Sequence, residues 1–380
     1  MEYKCKEVIL KNPLWFWEHF KGKERILFYN SNSKEYIIGA ISVKPELQSN
    51  HCNYPYVFYP MTFFDRTKDI KWGETLKEGI VFEYYLVVRE TGSTLYYYDK
   101  PVEVMEQKIS SNKVSYQIED NDYERWSKVF WHMKHNMQKN EISKVVISRE
   151  VEIKGESEFN DTAILSDLIK NNEQSFVFAY YKEGRTFLGA TPEILVEKKG
   201  IHIMSHALAG TIVKQKENAG EQGKKLLEDK KNNYEHQIVA DIIAETMRGV
   251  TKKVQIGKTG LMELKNLFHL RTIITAEDST LDLLSWVKLL HPTPAIGGSP
   301  KEMAMDLIEK YEPHDRGRYA APLGVVDRNG DGIFVVAIRS GLVMGSKLFA
   351  YAGCGIVEQS DCREEYEETN NKLRTILECL

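Results

Sequence analysis

The chain has 380 residues, 42% apolar and 28% charged, with a formal net charge of −4. That balance describes a soluble globular protein with ample core, and it excludes both the basic footprint of a nucleic-acid binder and an acidic tail. Apolar runs such as "GIFVVAI" fall far short of the ~18 residues that span a bilayer.

The N-terminal stretch "MEYKCKEVILKNPLWFWEHFKGKE" carries charges through its apolar part and makes a poor signal peptide. The five cysteines, Cys5, Cys52, Cys354, Cys362 and Cys379, are odd in number, scattered and free of any CxxC. They read as free thiols of a reducing, cytoplasmic setting, with no zinc site. A first region, 1–118, alternates β-like runs ("RILFYN", "YIIGAISV", "VFEYYLVVRE", "TLYYYDKPVEVM") with polar turns and holds no recognisable reactive centre.

The second region, 119–380, opens with "YERWSKVFWHMKHNMQ", whose Trp126, Val129, Phe130, Met133 and Met137 lie at helical spacing and read as core. Strands are expected at "KVVISREVEI", "SFVFAYY", "TFLGATPEILVEK" and "IHIMSHALAG", then a single helix over 220–249 and another at "DLLSWVKLL". In "SPKEMAMDLIEKY" the pattern predicts Ser299 as N-cap, Pro300 at the first helical position and Glu302 completing a capping box. "GIFVVAIRSGLVMGSKLFAYAGCGIV" reads as a hairpin. Turns too short for crossovers argue for antiparallel α+β layers over a βαβ sheet. No GxGxxG or GxxxxGK[ST] occurs, and Gly353-Cys354-Gly355 is a lone GxG.

The last helix puts Tyr366, Leu373, Ile376, Leu377 and Leu380 on one buried stripe. Glu365, Glu368 and Lys372 border it, within about a 60° sector. Other ionisable groups stand where an element would hold them rigidly. Lys144 heads an apolar strand, a place for a solvated strand end as well as for a reactive amine. Glu193 follows a Thr-Pro turn, and Glu235 lies one turn above the apolar stripe of its helix, where the dipole alone favours a carboxylate. Gly210 in "LAGT" permits close backbone approach. His269 sits between apolar neighbours in "NLFHLRT", as core histidines do. Arg339 ends an alternating strand and shares a face with Val335 and Ala337, an arrangement suited to an anion above that face and equally to a snorkelling strand end.

Taken together, "LAGT", "HPTPAIGGSP", "VVAIRSGLV", "AGCGIV" and "EYEETNNKL", in that order, resemble the chorismate-binding enzymes over about residues 122 to 378. The resemblance implies an α/β sandwich of two large antiparallel sheets with flanking helices. It implies Mg²⁺ held by Glu235 and Glu368, with Glu365 as a supporting carboxylate and Lys372 facing the carboxylate region of chorismate. Arg339 and the Gly353 backbone would grip the enolpyruvyl carboxylate, and Gly210 and Thr211 would lie by the ring carboxylate. His269, Thr293, Ala295, Tyr319 and Ile338 would line the ring pocket.

Lys144 matches the water-activating lysine of the isochorismate and salicylate synthases, which the ammonia-using members lack. The resemblance therefore implies isochorismate synthesis, with Lys144 as general base and Glu193 as general acid, and no obligatory glutaminase partner. "RGRYAAPLGVVD" and "AGCGIVEQSD" look most like the menaquinone-branch enzymes. Salicylate synthase, a siderophore-branch isochorismate synthase and a non-catalytic chorismate binder are the alternatives. The chain departs from the family at "IVKQKE", where relatives carry basic residues, and in its shorter N-terminal third. The mechanism also demands a neutral lysine and a protonated glutamic acid in one cleft, which requires burial.

Overall fold

The structure, a computed structural model, describes residues 2–43, 54–74, 78–106, 109, 113–119, 123–214 and 218–380. Along the chain come β1 (Lys4–Val8), α1 (Leu14–His19), β2 (Arg25–Asn30), β3 (Glu35–Val43), β4 (Tyr56–Pro60), β5 (Val81–Arg89), β6 (Gly92–Tyr97) and β7 (Tyr116–Ile118). Then follow α2 (Tyr123–Gln138), β8 (Lys144–Gly155), α3 (Asp161–Asn171), β9 (Phe176–Lys182), β10 (Arg185–Thr191), β11 (Ile194–Lys199) and β12 (His202–Val213). The next are α4 (Ala219–Glu228), α5 (Lys230–Arg248), β13 (Val254–Ile256), β14 (Gly260–Glu263), β15 (Leu267–Glu277), α6 (Leu283–Leu290), β16 (Gly298–Ser299) and α7 (Lys301–Tyr311). The chain closes with β17 (Pro322–Asp327), β18 (Gly332–Val336), β19 (Ser340–Met344), β20 (Lys347–Ile356) and α8 (Cys362–Leu377).

Two sheets result. One runs β1-β6-β5-β3-β2-β9-β10-β19-β20-β8-β16 with β7 beside β8, and the other runs β13-β15-β12-β11-β18-β17-β4 with β14 beside β15. Every pairing among the described residues is antiparallel, as short turns require. The period-2 alternation of strands divides the core. In β2, Ile26 and Phe28 join a large cluster with residues of both sheets, α2, α5 and α6, while Leu27 and Tyr29 join a second cluster with α1, α3 and α8.

Several sequence expectations need correction. The helix expected over 220–249 is two helices, because Asp229 takes an extended ψ of 117° and caps α5 by accepting the Asn232 N–H. Ser299 is no N-cap. Its backbone pairs with Lys144 in β16, so Pro300 occupies the cap position with no side-chain bond, and the capping box does not form. The hairpin expected over 332–357 is β19–β20 alone, since β18 belongs to the other sheet. The alternation assigned up to Arg339 therefore ends at Val336. "TLYYYDKPVEVM" is strand only to Tyr97. Cys5, Cys354, Cys362 and Cys379 are unbridged. Cys52 and residues 215–217 of the "IVKQKE" departure lie outside the described residues.

Candidate active site

Two of the chain's crossings between the sheets are at Thr191–Ile194, between β10 and β11, and at Val336–Ser340, between β18 and β19. The two switches are bonded to each other: the Ala190 N–H donates to the Arg339 carbonyl (3.1 Å) and the Val336 N–H to the Glu193 carbonyl (3.0 Å). The first switch carries Glu193 and the second Arg339. Arg339 sits at φ 53°, a left-handed conformation that L-residues adopt sparingly and that surrounding structure must impose.

Around this joint lies a cleft of about 660 Å³, counting its open mouth. β12 contributes Gly210 and Thr211, α5 Glu235, β15 His269, β20 Gly353, and α8 both Glu368 and Lys372. Ala295 comes from the 291–300 loop, with Tyr319 and Ile338 completing the ring-sized wall. Of the residues singled out from sequence, Lys144, Glu365 and Thr293 do not line the cleft.

Lys144 is fully buried at the start of β8, beside Gly355, where a Cβ would stand 2.9 Å from its Cε and overlap the Glu235 carboxylate. Its Nζ lies 3.0 Å from Glu235 Oε1 yet makes no well-directed hydrogen bond. Glu365 is turned to Lys231, at 2.6 Å. Thr293 is buried and accepts the Ala295 N–H, which shapes the loop.

The charges form a pattern. Each of the three carboxylates that the resemblance assigns to the metal has its own lysine: Glu235 with Lys144, Glu365 with Lys231, and Glu368 with Lys372 at 2.7 Å. Burial, then repulsion from Glu368, pushes Glu365 up to about 7. Burial opposes the Lys372 ammonium, but Glu368 outweighs it and the group is held above its ordinary range. Lys372 also donates to the Gly353 carbonyl (2.8 Å), which ties α8 to β20.

Glu193 is 3% exposed, and burial raises its carboxyl to about 8 against the pull of Lys144, Lys372 and Arg339. It is a protonated acid at neutral pH, and its Oε1 has no hydrogen-bond partner. Buried polar atoms without a hydrogen bond are rare enough to mark sites: Glu193 Oε1 has none, and Lys144 Nζ has only its ion pair with Glu235. Burial pulls Arg339 down to about 10, still fully cationic at neutral pH. Its NH2 lies 2.8 Å from His269 Nε2. A guanidinium only donates, so Nε2 accepts and the ring proton sits on Nδ1, 3.0 Å from Thr211 Oγ1. Burial, with Arg339 and Lys372 nearby, keeps His269 well below its ordinary pKa and therefore neutral.

Arg316 and Lys231 are not singled out by the sequence, and Gly355 is visible there only as part of a lone GxG, not as the residue that makes room for Lys144 and Glu235. Arg316 donates to the carbonyls of Ile296 and Val146 and to Glu312, fastening the 291–300 loop and β8 together. Lys231 and Gly355 act through contacts across the fold, which no local pattern announces.

Among the described residues no group of three or more His, Cys, Asp or Glu is gathered as a ready-made metal site. Glu235 and Glu368 nevertheless both face the cleft. Two carboxylate donors facing one cleft fit Mg²⁺, a hard ion that takes one or two carboxylates, keeps waters and accepts an anionic ligand.

The model of the family described as chorismate binding enzyme matches residues 95–380. A Bacillus subtilis protein named isochorismate synthase MenF is 38% identical over 266 residues, 69% of this chain and 56% of that protein. A Pseudomonas aeruginosa protein named salicylate biosynthesis isochorismate synthase is 35% identical over 243 residues, 63% of this chain and 51% of that protein. The match thus spans about half the length of these curated relatives. The solved structure of MenF, the menaquinone-specific isochorismate synthase from Escherichia coli, superposes with a TM-score of 0.85 over 99% of this chain and 95% of that one. At 20% identity that likeness is one of fold. From β6 to its last residue, this chain belongs to the chorismate-binding enzymes.

Proposed function

We propose that the protein is an isochorismate synthase, an isomerase that adds water at C2 of chorismate and expels the C4 hydroxyl as water. The observation that carries this reading is a buried acid with no hydrogen-bond partner on its Oε1 and a buried lysine ion-paired to Glu235, beside one cleft that also holds a neutral histidine, an arginine and two carboxylates. The 38% identity to a protein named isochorismate synthase supports it.

In this mechanism Lys144 takes a proton from the water that attacks C2. The ring double bonds shift, and Glu193, protonated at neutral pH, gives its proton to the C4 oxygen as that bond breaks. One proton enters Lys144 and one leaves Glu193, so the site resets by returning a single proton between them. Arg339, oriented by His269, pairs with the enolpyruvyl carboxylate together with the Gly353 backbone, and the Gly210 backbone and the Thr211 hydroxyl meet the ring carboxylate. Glu235 and Glu368 would hold Mg²⁺, with Glu365 supporting them. The ion would supply positive charge for the ring carboxylate and hold it in register.

The product feeds menaquinone synthesis on this reading, by the likeness of "RGRYAAPLGVVD" and "AGCGIVEQSD". No ammonia donor or glutaminase is needed. The test incubates purified protein with chorismate, with and without Mg²⁺ or EDTA, and resolves products by chromatography. Isochorismate formed only with Mg²⁺, and lost in Lys144→Ala, is expected. Salicylate as the product would make the enzyme a synthase–lyase, and an active Lys144→Ala enzyme would remove the base assignment.

A further inference from the structure

β12 does not run straight past the cleft. Ala209 pairs with Leu270 and Thr211 with His269, so Gly210 is left over as a bulge, at φ +77°. The two peptide groups flanking it are both bonded to α5. The Thr211 N–H donates to Asn232 Oδ1 (2.9 Å), and His236 Nδ1 lies 3.2 Å from the Ala209 carbonyl. The helix comes so close that a Cβ on Gly210 would meet Asn232 at 3.1 Å. Asn232, Glu235 and His236 stand at i, i+3 and i+4, one face of one helix.

The polarity of each bond is determined. Asn232 Nδ2 donates to Asp229 Oδ1 (2.7 Å), which leaves its Oδ1 as acceptor for Thr211. A carbonyl only accepts, so the His236 proton sits on Nδ1, and Nε2 accepts from the Thr272 hydroxyl (2.8 Å). Thr259 Oγ1 lies 2.8 Å behind Thr272 Oγ1 and completes the relay. His236 is 2% exposed, so water does not compete for either bond.

We propose that Asn232 and His236 are positioning residues that strap the β12 bulge to α5, so that the ligand-facing backbone at Gly210 and the Glu235 carboxylate move as one unit. Under the function proposed above, on which this inference rests, one end of the substrate's ring carboxylate is read by the bulge and the other by what Glu235 holds. Independent motion of the two would spoil the register.

The test uses the full chain, with chorismate plus saturating Mg²⁺ as the probe in calorimetry and steady-state kinetics. In His236→Leu the hydrogen bonds to the Ala209 carbonyl and to Thr272 are both lost, and Kd and KM for chorismate should rise about tenfold while kcat falls less than about threefold. His236→Asn, which places an amide donor near the Nδ1 position, should restore both to within about twofold of wild type. A merely structural role would lower the melting temperature of both variants and leave Kd unmoved. Thr272→Val, a milder change that frees the ring to turn, should weaken binding about threefold and covers the case in which His236→Leu does not fold.

Hydrogen exchange over 207–213 reads the strap with no ligand present, and it should speed by about tenfold in the impaired variants. Unchanged exchange and unchanged Kd in His236→Leu, or a His236→Asn protein as weak as His236→Leu, would overturn the strap. A wild-type chain that binds no chorismate while exchange still responds would overturn the functional reading alone.

Discussion

Glu193→Gln exchanges a buried carboxyl for a carboxamide of nearly the same shape and removes its titration. Burial raises the carboxyl from 4.5 to about 8 in the folded chain. The folded state therefore holds a proton that the unfolded chain releases once pH passes about 4.5, so the stabilising contribution is full below that value and drains away as pH rises to about 8. At 1.36 kcal/mol per unit, the wild-type protein loses about 5 kcal/mol across this window through Glu193 alone. Glutamine has no such slope. Urea unfolding at a series of pH values should show the two proteins similar near pH 4.5 and diverging steadily, the variant being more stable by several kcal/mol at pH 8. Turnover should be abolished throughout. Parallel stability curves would mean that the carboxyl ionises normally in the fold, and the general-acid argument would fail with them.

Wild-type activity should decline above pH 8 as Glu193 loses the proton it must donate, which a pH–rate profile of kcat checks against the flat stability of the Gln variant. Gly355→Ala places a methyl against the Glu235 carboxylate and Lys144 Cε. A shift of about 1 Å at these groups should cost on the order of a hundredfold in kcat with little change in secondary structure, and an Ala variant of full activity would refute the packing argument. Arg316→Met leaves Glu312 as an uncompensated buried charge and should cost about 3–5 kcal/mol by denaturant unfolding, whereas the double change Arg316→Met with Glu312→Leu should recover part of that loss. Glu368→Gln should raise the Mg²⁺ concentration needed for half-maximal activity by more than about tenfold, and should weaken Mn²⁺ binding read by electron paramagnetic resonance in parallel.

Local signals in the sequence carried most of α2, α6 and α8 and the strands around the site, because hydrophobic period and turn residues decide those elements within a few positions. The two sheets and their order were not derivable from that period. They came with the family resemblance, since strand order is decided by pairings far apart in sequence. The errors share one cause. Asp229 ended a helix whose apolar stripe continued past it, Ser299 gave its backbone to β8 instead of capping α7, and Arg339 lay past the end of its strand at a crossing between sheets. In each, a long-range pairing or cap overrode a plausible local pattern. Lys144 was correctly put at the head of β8, but its burial behind Gly355 and its partner Glu235 depend on a strand and a helix about 210 and 90 residues onward. Asn232 and His236 carry no local signal of their role, because their partners lie on β12 and β15.

The bonded pair of sheet crossings has one more implication. Glu193 and Arg339 ride on two crossings between the large leaves, and two backbone hydrogen bonds, Ala190 to Arg339 and Val336 to Glu193, pin one crossing to the other. Any slippage of one leaf over the other would change the acid-to-guanidinium spacing at once. Substitutions deep between the leaves, far from any ligand, should therefore damage turnover at doses too small to unfold the protein.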